Sequence, residues 1–204
     1  MKIIPVTLEG TYIILEPLTI EHAPDLFEAG QDGEVWRYLS IAQPQNLVEM
    51  QAFIHGALSQ QAAGHRLPFA IIDKLSGKAI GTSSYLEIQP QNKSLEIGWT
   101  WLGKPYWRSP RNTECKYLLL NYAFEVQEAI RVQLKTDSRN NISQNAIKRI
   151  GGVKEGILRK HVIYASGYIR DSVYFSILDQ EWPEVKTRLE AKLAEYAPIT
   201  AGKE

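Results

Sequence analysis

Cysteine is nearly missing from this sequence: Cys115 is the one thiol in 204 residues. That excludes an intramolecular disulfide and a cysteine-built zinc cluster, and it suits a reducing, cytoplasmic compartment. Histidine is sparse too, and His22, His55, His65 and His161 are scattered, with no close pair of the kind a metal-binding helix shows. No metal is expected. An excess of one charge is absent, because Lys plus Arg and Asp plus Glu both total 23. Nothing in that balance draws the chain to nucleic acid or to an anionic membrane surface. No apolar run approaches the roughly 20 residues that cross a bilayer. The opening MKIIPVTLEG lacks the apolar stretch and cleavage site of a secretion signal. Repeats, low-complexity blocks and linkers are missing as well, so one continuous domain over residues 1–204 is expected.

What is present is the make-up of an ordinary soluble protein, 44% hydrophobic and 23% charged, long enough to bury a core. Residues 11–18 form a β-rich run, and 19–30 read as a short helix with Thr19 as its cap and Gly30 as its stop. Residues 45–64 carry apolar side chains at 47, 50, 54 and 58, a helical spacing. Two strand-like runs between 65 and 88 meet at a turn over 74–77 and predict a hairpin, and 93–102 form a third strand. A helix over 113–125, a strand over 130–138, a helix closed by Gly151 and Gly152, strands at 153–163 and 171–178 joined by YASGYIR, and a helix over 181–196 complete the order. A mixed sheet flanked by helices is an α/β arrangement, distinct from a regularly alternating dinucleotide-binding fold.

WRSPRNTEC (107–115) sits where a Trp-rich strand hands over to a helix, the usual place for a phosphate group. Such turns carry glycines. This one has Arg108, Pro110, Arg111 and Asn112 instead.

Three stretches, LEIGWTWLGKPYWRSPRNTECKYLL, DSRNNISQNAIKRIGGVKEGILRK and DSVYFSILDQEWPEVKTRLE, resemble the GNAT acetyltransferases, within them the RimJ/RimL-like branch. Their order and spacing fit that family over about residues 8–196. The resemblance implies a mixed, mostly antiparallel sheet of about seven strands flanked by helices. It implies acetyl-CoA as cosubstrate and transfer of acetyl to a primary amine by direct attack in a ternary complex. The acceptor is a peptide or protein N-terminus or a small-molecule amine, and family members are often homodimers.

Carried over residue by residue, the backbone of Gly98, Trp99, Thr100 and Trp101 pairs with the pantetheine arm. The family's loop positions fall on Trp107, Pro110 and Asn112, and all three differ from the usual pattern. Proline removes one donor but suits the first turn of a helix. Arg108 and Arg111, with the N–H groups of Arg111, Asn112 and Thr113, remain able to hold the pyrophosphate. Asn140 matches an asparagine that bonds the pantetheine arm, and Ser143 a serine that assists the leaving thiolate, since the place of the alternative tyrosine is taken by Ile147. Asn140 also reads as a plain helix cap. Glu96, and less so Glu87, reads as base or amine anchor, or else as a solvated strand residue. If Leu95, Ile97 and Trp99 share a face, Glu96 points the other way. Trp99, Trp101, Tyr106 and Trp107 form core or cleft wall, or shape a pocket for an apolar acceptor. Cys115 reads as packing. The altered loop also admits an alternative: a non-catalytic protein of this fold that binds CoA or a partner.

Overall fold

In a computed structural model that describes residues 1–164 and 166–196, five helices flank one eight-stranded sheet. The strands are β1 (Leu8–Glu9), β2 (Ile13–Pro17), β3 (Arg66–Asp73), β4 (Ala79–Gln89), β5 (Ser94–Leu102), β6 (Arg131–Asp137), β7 (Val153–Ile163) and β8 (Ile169–Leu178). Their spatial order is β1-β2-β3-β4-β5-β6-β8-β7, and every pair is antiparallel except β5 with β6. The count exceeds the expected seven by the two-residue β1, too short to show a period of its own. Residue 165 of the YASGYIR connection and residues 197–204 of the expected 1–204 span lie outside the described residues.

The helices are α1 (Ala23–Ala29), α2 (Leu47–Ala62), α3 (Pro110–Asn121), α4 (Asn141–Arg149) and α5 (Trp182–Ala194). In α2, Met50, Ile54 and Ala57 recur at helical spacing and are buried. The Asn46 side chain accepts from the Glu49 N–H at 3.0 Å, one of the donors a helix start leaves unspent. The helix expected over 113–125 starts three residues earlier, at Pro110, and runs into a π-helical turn at Tyr122–Val126.

Each face of the sheet has its own core. Phe69, Tyr85, Leu95, Ile97, Val132, Leu134 and Phe175 meet Leu119 of α3, Ile147 of α4 and Leu189 of α5 on one face. On the other, Ala70, Ile72 and Trp101 meet Leu26 of α1 and Met50 and Ile54 of α2. Removing such a side chain from water contributes about 1.5–3 kcal/mol.

Candidate active site

β5 and β6 pair through only three residue couples, Ser94↔Arg131, Leu95↔Val132 and Glu96↔Gln133. Beyond them β5 follows β4 to Leu102 while β6 follows β8 to Asp137. From Ile97 and Leu134 onward, the two facing edges therefore have no strand partner and border a wedge. The cause is local. Ser84 pairs with Gly98 and Thr82 with Trp101, so Trp99 and Thr100 together oppose Ser83. This is a β-bulge, which bends a strand and sharpens its twist. Trp99 takes the left-handed φ of 50° that the bulge requires. At Gly81 any Cβ would collide with the Trp101 carbonyl oxygen, so glycine is needed for the bulged strand to approach.

The bulge also corrects the expected face assignment. Leu95 and Ile97 share the α3 face, but the extra residue flips the alternation. Trp99 instead packs near Phe53 of α2, with ring centres 6.4 Å apart, and Trp101 lies in the α1/α2 core. Trp107 caps the end of β5, its indole N–H donating to the Leu102 carbonyl at 2.7 Å.

Because β5 and β6 run parallel, the helices that follow them, α3 and α4, both begin at the wide mouth of the wedge. Their free N–H groups and positive dipole ends favour an anion there. At α3, Pro110 is the first helical residue, so the N–H groups of Arg111 and Asn112, in the first turn, have no i−4 carbonyl inside the helix. Thr113 itself is buried. Arg111 is already engaged: its Nε donates to Asp73 at 2.8 Å and its guanidinium lies over Tyr106. Arg108 is exposed, adopts a φ of 57° and makes no hydrogen bond or ion pair among the described residues.

At α4, the Asn140 side-chain Oδ1 accepts from the Ser143 N–H at 3.0 Å, so this asparagine does cap the helix. Its amide nitrogen has no such duty. Ser143 is half-buried in the first turn, and Ile147 is core.

Glu96 closes the apex. It is 1% exposed, and Oε2 accepts from the Gln133 amide at 2.8 Å and pairs with the Lys135 ammonium at 3.0 Å. Oε1 lies over Gly98, where a Cβ would come within 2.9 Å of it. Glu96 faces the α1/α2 side, opposite Leu95 and Ile97. Glu87 is exposed, with a φ of 45°.

Several polar groups around the wedge carried no sequence signal. Lys116 of α3 is buried on the other face and donates to the Thr100 hydroxyl, which in turn contacts Ser83 Oγ at 2.7 Å. Burial lowers its pKa. Lys135 lies over Tyr174, whose hydroxyl is 3.3 Å from His161 Nε2, and His161 Nδ1 contacts Ser172 Oγ at 3.0 Å. Burial, then Lys135 and Arg170, lower the His161 pKa. Their one trace in the sequence is the polar half of the alternation in β6 and β8. Cys115 is fully buried, which pushes its thiol pKa up.

The hollows formed by the described residues include two that bear on the site. The larger, about 520 Å³, lies between the β1–β2 end and α5 and contains none of the expected site residues. The smaller, about 330 Å³, lies between α2 and Trp99, beside the wedge. We take the second as the relevant one, since it adjoins the unpaired edges. Among the described residues no group of His, Cys, Asp or Glu is placed to hold a metal ion, and no helix is long and apolar enough to cross a membrane.

The profile of the "Acetyltransferase (GNAT) domain" family matches residues 13–153. A crystal structure of a GCN5-related N-acetyltransferase from Brucella melitensis superposes with a TM-score of 0.89 at 33% identity, covering 95% of this chain and 87% of that one. "Uncharacterized N-acetyltransferase p20" of Bacillus licheniformis is 27% identical over 86% of this chain and 98% of its own length. RimJ of Mycobacterium smegmatis, solved with CoA-disulfide, shares the fold, with a TM-score of 0.79 at 18% identity over 92% of this chain and 95% of its own. The split sheet, the two helix starts at its mouth and these likenesses agree: the chain belongs to the GNAT acetyltransferase family and is an acyltransferase.

Proposed function

We propose that the protein transfers acetyl from acetyl-CoA to a primary amine, by direct attack with donor and acceptor bound together. The observation that carries this reading is the wedge, where unpaired backbone edges, two helix N-termini and a buried carboxylate converge. The cosubstrate fits it: the β5 edge over Gly98, Trp99, Thr100 and Trp101 offers peptide groups to a pantetheine arm. The N–H groups of Arg111 and Asn112, with the Arg108 guanidinium, suit a pyrophosphate. In our assignment Arg111 acts mainly by fixing the loop through Asp73, and Thr113 is buried beneath the first turn. The proline at a usual glycine place is accommodated because it starts the helix. Arg108 takes the left-handed conformation, which costs about 1–2 kcal/mol.

The amine nitrogen attacks the thioester carbonyl and the C–S bond breaks. Glu96, directly or through a water it holds, takes the proton from nitrogen, and the Ser143 hydroxyl donates to the departing thiolate. The N–H donors of the bulged strand stabilise the oxyanion. The Asn140 amide nitrogen is left to bond the pantetheine arm. The acceptor is a peptide N-terminus or a small amine, in a reducing cytoplasm that suits the single buried thiol.

The test is calorimetric titration with acetyl-CoA, followed by CoA release with a panel of amines. Micromolar binding is expected, weakened roughly tenfold or more in Arg108→Ala, the worth of a charge-assisted hydrogen bond. No measurable binding by the wild type overturns the reading. Arg111→Ala is a poorer probe, because it strands Asp73 in the interior.

A further inference from the structure

We propose that the cavity between α2 and the β5 bulge is a carboxylate subsite read by Arg66, so that the amine this enzyme acetylates also bears a carboxylate. The inference rests on the acetyltransferase reading of the wedge and names the class of acceptor.

Arg66 opens β3 on the α1/α2 face and is only 3% exposed. Its Nε donates to Ser84 Oγ at 2.8 Å, its guanidinium lies 4.9 Å from the centre of the Trp99 ring, and its buried Nη2 has no hydrogen-bond partner. It lines the 330 Å³ cavity with Phe53, Gln60 and Trp99. Two other charged pairs near the wedge are matched, Arg111 with Asp73 and Glu96 with Lys135, and the buried Lys116 ammonium on the opposite face donates to the Thr100 hydroxyl. Arg66 has no carboxylate within ion-pair distance among the described residues. Glu49 also lines the cavity, but its Oε2 accepts from the Gln45 N–H and its Oε1 from the Asn46 amide, both at the α2 cap. Burying an unpaired guanidinium is costly, and a bidentate fork aimed into a cavity is the usual reader of a carboxylate. Burial lowers its pKa to about 10, which still leaves it charged at neutral pH.

Position gives the subsite its purpose. Arg66 pairs with Leu86 and Leu86 with Glu96, so the three stand in one row across β3, β4 and β5. Two strand spacings separate Arg66 from Glu96, about 10 Å between backbones. A small molecule whose carboxylate meets Arg66 can present its amine over Gly98, beside Glu96 and the wedge. Trp99 and Phe53 supply an apolar wall for the body of that molecule.

The experiment uses matched acceptors on the CoA-loaded enzyme: phenylalanine against phenethylamine, and an Asp-headed against an Asn-headed tetrapeptide amide. Binding is read on the CoA-loaded enzyme by tryptophan fluorescence and thermal shift, and turnover, with acetyl-CoA in place of CoA, by CoA release. We expect at least a tenfold preference for the carboxylate member of one pair, which also tells a free amino acid from a peptide. That preference is lost in Arg66→Met and reduced in Arg66→Lys, while Arg66→Met without acceptor melts no lower than wild type. Equal binding within both pairs, or a preference that survives in Arg66→Met and Arg66→Lys alike, overturns the proposal. Turnover without preference defeats the subsite and leaves the acetyltransferase reading intact; preference in binding with no turnover of any amine does the reverse.

Discussion

Glu114 accepts hydrogen bonds from three successive backbone N–H groups, those of Thr11, Tyr12 and Ile13, at 2.6, 2.7 and 2.8 Å. It ties α3 to the start of β2, and its own burial is tolerable only because of those donors. Glu114→Ala leaves buried donors unmade, each worth about 1–3 kcal/mol, so a loss of about 3 kcal/mol is expected in urea unfolding. Two residues on, Lys116 behaves oppositely. Its ammonium is buried with a hydroxyl partner and no carboxylate, and burial holds its pKa below the unfolded value. Between the folded and unfolded pKa the unfolded chain binds more protons, so stability rises with pH there, and the full cost stands below that window. Lys116→Met should therefore melt higher than wild type at neutral pH, with the gap closing as pH climbs toward 10.5; a constant gap in a pH series of melts counts against this. Neither role was legible in the sequence, because Glu114 lies 101 to 103 residues from its partners and Lys116 sits in what reads as an amphipathic helix. Ser143, Asn140 and Glu96 were singled out as candidates only through a resemblance, since a serine, an asparagine and a glutamate have no period of their own.

At the scale of elements, the order of strands and helices could be read because their apolar side chains keep to periods of 2 and 3.6. What could not be read was the bulge. In SLEIGWTWL, the apolar residues 95, 97, 99 and 101 alternate without a break with Ser94, Glu96, Gly98 and Thr100, so Trp99 looked like a continuation of Leu95 and Ile97. Gly81, on the neighbouring strand, is the residue that makes room for it. Gly81→Ala should cost about 3 kcal/mol, the penalty of overpacking against backbone. It should also flatten β5, so that acetyl-CoA affinity falls more than in a control destabilised equally at Glu114. Calorimetry on both variants decides it.

At the scale of the molecule, β1–β5 and β6–β8 are two half-sheets stitched by three residue pairs and held by the flanking helices. A ligand lying in the wedge adds hydrogen bonds to both halves, and binding to the folded state alone stabilises by about 2.7 kcal/mol at a hundredfold excess over Kd. The melting temperature should thus climb with acetyl-CoA concentration, and amide exchange should slow selectively at 97–102 and 134–137. Uniform slowing across the sheet would mean that the ligand does not bridge the halves. The wedge has one more consequence. Unpaired strand edges are where proteins recruit other chains and begin to aggregate. Here the open stretches of β5 and β6 face each other inside the fold, so each hides the other from stray polypeptides while both stay available to a slender guest.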